Sequence, residues 1–212
     1  MLRPLGSSLP LGFFAFSTGM SILGGLDTGL IAERQLHQTG ALLLTFVAPL
    51  EALAAVLAFL ARDGLAGTGL GLFAGSWTAI GVQEVIGRPG ATSPVLGLYL
   101  FTFTVVIVLL GIVAVRGQPL LAVLLLTAAV RTVLAGVYEV SGNRPLFRAA
   151  GGMGFVIAVI GFYGAVAFLL EDSAGTTILP LARRGAAKAS ISGDLATQVE
   201  SLDTEAGVRQ TL

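Results

Sequence analysis

Six stretches of this chain are each long and apolar enough to cross a lipid bilayer as a helix, and that repeat constrains the fold more than any other feature. A spanning helix needs about 20 predominantly apolar residues, and inside lipid it must satisfy every backbone N–H and C=O within the segment. The stretches lie at residues 9–31, 41–61, 67–86, 94–115, 119–140 and 150–171. Between them stand Arg34-Gln35-Leu36-His37-Gln38, Arg62-Asp63-Gly64, Gly87-Arg88-Pro89-Gly90, Arg116-Gly117-Gln118-Pro119 and Ser141-Gly142-Asn143-Arg144-Pro145. These are the charged and turn-forming residues at which helices end. The expected fold is all-α: a polytopic membrane protein with a six-transmembrane-helix bundle, consecutive helices being antiparallel neighbours because the loops are short. Residues 1–8 form a short lead. Residues 182–212 form a mixed polar tail without a sustained hydrophobic face, expected to be disordered in the cytoplasm.

Charged residues make up only 11% of the chain and hydrophobic ones 55%, against roughly 25% charged in a soluble domain. The first stretch lacks the short basic flank and Ala-x-Ala site of a removable signal peptide, so it reads as a span. There is no cysteine and one histidine, His37; neither a metal site nor a cofactor is expected, and no nucleophile and base stand at a suggestive spacing for an enzyme. Twelve basic residues balance twelve acidic ones, which leaves no net charge to attract nucleic acid. An even number of spans returns both termini to one side. Loops on that side carry Arg3, Arg62, Arg116, Arg183, Arg184 and Lys188, and the opposite loops Arg34, Arg88, Arg144 and Arg148. The excess of basic residues points to cytoplasmic termini and a plasma-membrane protein.

Within the spans a few residues stand out. The first opens Leu9-Pro10-Leu11-Gly12-Phe13-Phe14-Ala15-Phe16, where Pro10 suits a helix start and Phe13 and Phe16 share a face. These rings either pack against neighbours or line a path. Gly67, Gly71 and Gly75, and again Ala150, Gly154 and Ala158, repeat every fourth residue. That spacing lets helices approach closely, with pore lining or subunit contact as the other reading. Glu51 and Arg131 fall midway through the second and fifth spans and are expected to form a buried charge pair, because an unpaired charge there costs roughly 2.5–3.5 kcal/mol. Asp27, Glu84 and Glu139 lie nearer helix ends, within reach of water. Backbone amides near Pro10 to Gly12 and the hydroxyls of Ser76, Thr78 and Thr127 offer donors to an anion, or else bond within their own helices.

Taken in order, Pro10-Leu11-Gly12-Phe13, the Gly69-Leu70 to Gly75 run before Ser76-Trp77, Leu96-Gly97-Leu98-Tyr99-Leu100, Gly142-Asn143, Tyr163 and Thr177-Ile178-Leu179-Pro180-Leu181 resemble the acetate uptake transporter family, the bacterial succinate-acetate permease type. The resemblance spans roughly residues 7–181. Where the family has Asn-Pro-Ala-Pro-Leu-Gly-Leu in its first helix, this chain has Ser7-Ser8-Leu9-Pro10-Leu11-Gly12-Phe13, without the first two signature residues. The resemblance implies a homo-hexamer of six-helix protomers, each with its own path for small monocarboxylates such as acetate; Pro10, Leu11, Gly12 and Phe13, where the first helix begins, are expected at the substrate entry. It further implies an apolar constriction built from a phenylalanine, a tyrosine and a leucine. Phe16 takes the first position, Ser76 or, with a slip of one residue, Trp77 the second, and Ala128 the third. A small residue tied to substrate size falls on Gly161. Two other readings stay open: a channel for a neutral solute such as urea, and a non-transporting membrane signalling protein.

Overall fold

The computed structural model describes residues 6–184; residues 1–5 of the lead and 185–212 of the polar tail lie outside the described residues. The chain forms α1 (Leu9–Thr28), a 3-10 turn (Glu33–Gln35), α2 (Leu36–Leu42), α3 (Ala48–Leu60), α4 (Gly64–Ile86), α5 (Pro94–Val115), α6 (Pro119–Ser141) and α7 (Arg144–Ala174). A π turn at Leu43–Val47 joins α2 to α3, and the two run as one rod, so that among the described residues six helices are long and apolar enough to cross a membrane. This is a multi-pass membrane protein with an all-helical bundle. α1 lies innermost, buried over 67% of its most apolar stretch against 28% for α5. It packs most extensively on α7, while α5 pairs with α6 and α3 with α4. The outer faces carry exposed Val95, Leu98, Val105, Leu109 and Ile112 on α5 alone, an apolar surface that suits lipid and not water.

Most helix bounds differ from the sequence expectation by one to several residues, and three features have a clear local reason. α1 ends at Thr28 instead of residue 31, because Gly29 turns left-handed (φ 84°) and donates its N–H back to Leu26 O, the conformation glycine adopts at least cost. α7 begins at Arg144, six residues earlier than expected: Pro145 sits in its first turn, where its missing N–H costs nothing. The second rod contains the π turn directly before Pro49. Proline lacks the donor and crowds the carbonyl four residues back, and a wider turn relieves both.

The stretch after α7 folds back onto the bundle. Tyr163 Oη donates to Pro180 O at 2.8 Å, and buried Glu171 accepts from Thr177 Oγ1 (2.7 Å) and pairs with Arg183 Nη2 (2.6 Å). Leu181 is buried. At the same end the Ser7 N–H donates to Asp172 Oδ1 at 3.3 Å, so the start of α1 and the end of α7 close one mouth of the bundle together.

Candidate functional site

A layer of rings crosses the middle of the bundle. Phe16 of α1 meets Phe73 and Trp77 of α4 edge-on, with centroids 5.0 and 5.9 Å apart. Phe73 in turn meets Phe103 of α5 at 5.4 Å, and Phe103 stacks on Tyr99 at 5.8 Å. Phe73 and Trp77, like Tyr99 and Phe103, are four residues apart on their helices and therefore share a face. Edge-to-face contacts of this kind add about 0.5–1.5 kcal/mol each beyond the area they bury, so the layer is stiff.

One cavity lies on each side of this layer. Toward the chain termini, a space of about 40 Å3 is lined by Leu9, Gly12, Phe13, Phe16, Leu70 and Phe73, among other apolar residues. Toward the other side, a space of about 130 Å3 is lined by Leu23, Leu100, Ala135 and Tyr138 together with charged groups that include Asp27, Glu84, Arg131 and Glu139. From Phe16 to Leu23 on α1, and from Phe73 to Ile80 on α4, the two linings are separated by about 10 Å at 1.5 Å per residue. The ring layer thus stands as a plug between two vestibules, an apolar cavity and a polar one.

Each residue singled out in the sequence has a definite place in this arrangement. Phe16 is in the plug. Trp77 is in it as well, buried to 1% exposure, while its neighbour Ser76 is buried but points about 100° away along the helix. Ala128 is fully buried on α6, between cavity-lining Leu125 and Arg131 and thus at the level of the rings. Gly161 lies on α7, where a Cβ would stand 2.1 Å from Ser17 Oγ, and lines neither cavity; it is a notch for the residue after Phe16. Of the proposed mouth, Gly12 and Phe13 line the apolar vestibule, Pro10 is buried, and Leu11 packs against Ala54, Ala55 and Leu70. The hydroxyls of Thr78 and Thr127 bond to Ala74 O and Val123 O within their own helices. Sequence reasoning missed Phe73, whose signal was its spacing of one turn before Trp77.

The buried charge pair is a different one from that expected. Arg131 Nη2 donates to Asp27 Oδ2 at 2.6 Å, with both side chains 4% exposed, and Glu51 makes no bond to it. Equal depth does not make neighbours: α3 packs on α4 and α1, α6 on α5 and α7, and the long arginine side chain reaches toward the end of α1 instead. Gly151 of α7 makes room there, since a Cβ on it would lie 2.8 Å from Asp27 Cβ. Glu51 is fully buried behind the plug. Among the described residues neither of its carboxyl oxygens has a hydrogen-bond partner, and Trp77 Nε1 likewise has none. Glu51→Gln is therefore expected to leave thermal unfolding unchanged or raise its midpoint, because it removes a buried acid that no counter-charge offsets. A loss as large as that of Arg131→Gln, measured in the same detergent, would restore Glu51 as a counter-ion.

Comparison with known proteins agrees with this architecture. A solved structure of the bacterial acetate channel SatP superposes with a TM-score of 0.74 over 84% of this chain and 99% of that chain, at 20% sequence identity, and so shares the fold. No curated protein matches the chain. Residues 2–183 match the GPR1/FUN34/yaaH family, a span that takes in all seven helices, both vestibules and the closing stretch, and the chain thus belongs to that family, the acetate uptake transporters whose motifs it resembles.

Proposed function

We propose that this protein is a plasma-membrane channel or transporter for small monocarboxylates such as acetate, with cytoplasmic termini, one path per protomer and a hexameric assembly. The observation that carries this reading is the plug: Phe16, at the position of the family's constriction phenylalanine, is sandwiched between two vestibules by Phe73 and Trp77. Narrow apolar constrictions gate by excluding water, and polar groups beyond them hold the solute before it crosses. Family membership and the shared fold of an acetate channel support the substrate class. The third wall of the constriction is small, since Ala128 stands where a leucine is expected, and the bulk comes from α4 and α5. Uptake of labelled acetate, succinate, lactate and urea into liposomes holding the purified protein tests the reading. Acetate uptake above that of empty liposomes is expected, and uptake of urea alone overturns it.

The plug also sets an expectation for selectivity. Phe73→Ala removes a ring that touches both Phe16 and Phe103, and should raise lactate flux severalfold more than acetate flux. Ala128→Leu adds bulk at the same level and should do the reverse. An equal change for both anions removes the position concerned from the selectivity wall.

A further inference from the structure

The polar vestibule holds more charge than the plug requires, and most of it is accounted for. Glu33 bonds to Arg144, Glu139 Oε2 accepts the Ser93 N–H at 2.7 Å, and Asp27 Oδ2 accepts from Arg131 Nη2. Apart from exposed Arg88 at the rim, two lining groups keep a buried atom unbonded. Among the described residues Arg131 Nε has no acceptor and Glu84 Oε2 no donor. Arg131 itself is 3% exposed, so its guanidinium is held in a low-dielectric wall with its donor fork only partly used. A planar fork of this kind matches a carboxylate with two parallel N–H···O bonds, a geometry that a lysine ammonium does not offer. The cavity of about 130 Å3 is far larger than the roughly 10–15 Å3 that one water needs, and a carboxylate of two or three carbons fits.

We propose that Arg131 is the carboxylate-binding residue of the polar vestibule, and that Asp27 is its resident carboxylate, which the substrate displaces or shares on its way to the plug. Arg131 stands six positions past Leu125 of the opposite lining, about 9 Å along α6, so an anion bound to it waits at the plug's face. The inference rests on the carboxylate-transport reading and adds the residue that recognises the substrate.

The test compares the concentration dependence of labelled acetate uptake in the parent and in Asp27→Asn/Arg131→Gln, a double variant that leaves neither charge orphaned. Losing a charge-assisted pair of bonds should raise the half-saturating concentration roughly tenfold to a hundredfold. A change confined to the maximal rate marks a purely structural pair and overturns the proposal, as does an unchanged half-saturation. The parent supplies a second measurement that needs no variant to fold. Acetate titrated into protein labelled with 15N-arginine should shift the Arg131 Nε–H resonance, and urea should not; a resonance indifferent to acetate overturns the assignment. Should the parent move no carboxylate at all, the transport reading itself fails, an outcome distinct from either of these.

Discussion

Arg131→Gln is expected to cost about 3–5 kcal/mol of stability, the usual consequence of removing one partner from a buried ion pair. The physical cause lies with the group left behind. Asp27 is 4% exposed at its side chain and held by Arg131 at 2.6 Å, and without the guanidinium its charge loses its counter-ion in a wall that is almost closed to solvent. Against a total stability of roughly 5–15 kcal/mol for a typical protein, a loss of that size lowers the folded yield sharply. Asp27→Asn/Arg131→Gln should recover most of it, because two neutral amides replace the pair. Glu51→Gln/Arg131→Gln should recover no more than Glu51→Gln gains by itself, since Glu51 is not the partner. Thermal unfolding of the detergent-solubilised variants separates the outcomes: recovery by the Glu51 substitution beyond its effect in the parent would mean that Arg131 is paired differently from the bond seen here.

That pair also shows which parts of the molecule were legible in the sequence. The number of helices was readable because a spanning segment must satisfy its own backbone, so the signal is local and survives without knowledge of neighbours. The closing Thr177 to Leu181 stretch was readable for the same reason: it carries its motif within a few residues. Lateral contacts were not. Glu51 and Arg131 share a depth, but depth fixes one coordinate, and the side of the helix and its neighbour fix the rest; Asp27, one residue from the end of α1, won because α1 lies in reach of the arginine. The plug shows a related limit. The resemblance puts a tyrosine position on Ser76 or Trp77, and Trp77 does meet Phe16, but the ring that meets both Phe16 and Phe103 is Phe73. A one-turn spacing of aromatics on α4, matched by Tyr99 and Phe103 on α5, is the pattern that would have found it.

The glycines carry the second large effect, and here the fourth-residue repeats divide. Gly154 packs with its Cβ position 3.2 Å from Met20 O on α1, a helix seam of the expected kind. The α4 repeat is different: Gly67 meets the Phe59 ring, Gly71 makes an ordinary contact with Ala55, and Gly75 has nothing within 4 Å. The close approach to α4 is made elsewhere, by Gly40 of α2. A Cβ on Gly40 would stand 2.6 Å from Gly81 O and 2.9 Å from Val85 N; both are backbone atoms, which no rotamer change moves aside. Gly40→Ala should therefore force the two helices apart and cost ~3 kcal/mol, the upper part of the usual range for overpacking. Gly75→Ala should be neutral within a protomer or stabilise it by about 0.5–1 kcal/mol through helix propensity. Unfolding followed by Trp77 fluorescence compares them directly, and a Gly40→Ala protein as stable as the parent would show that α2 and α4 can separate without loss. Should Gly75→Ala leave the protomer's unfolding intact yet weaken its assembly in native mass spectrometry, Gly75 would be the close contact between neighbouring copies that its exposed position on α4 leaves room for.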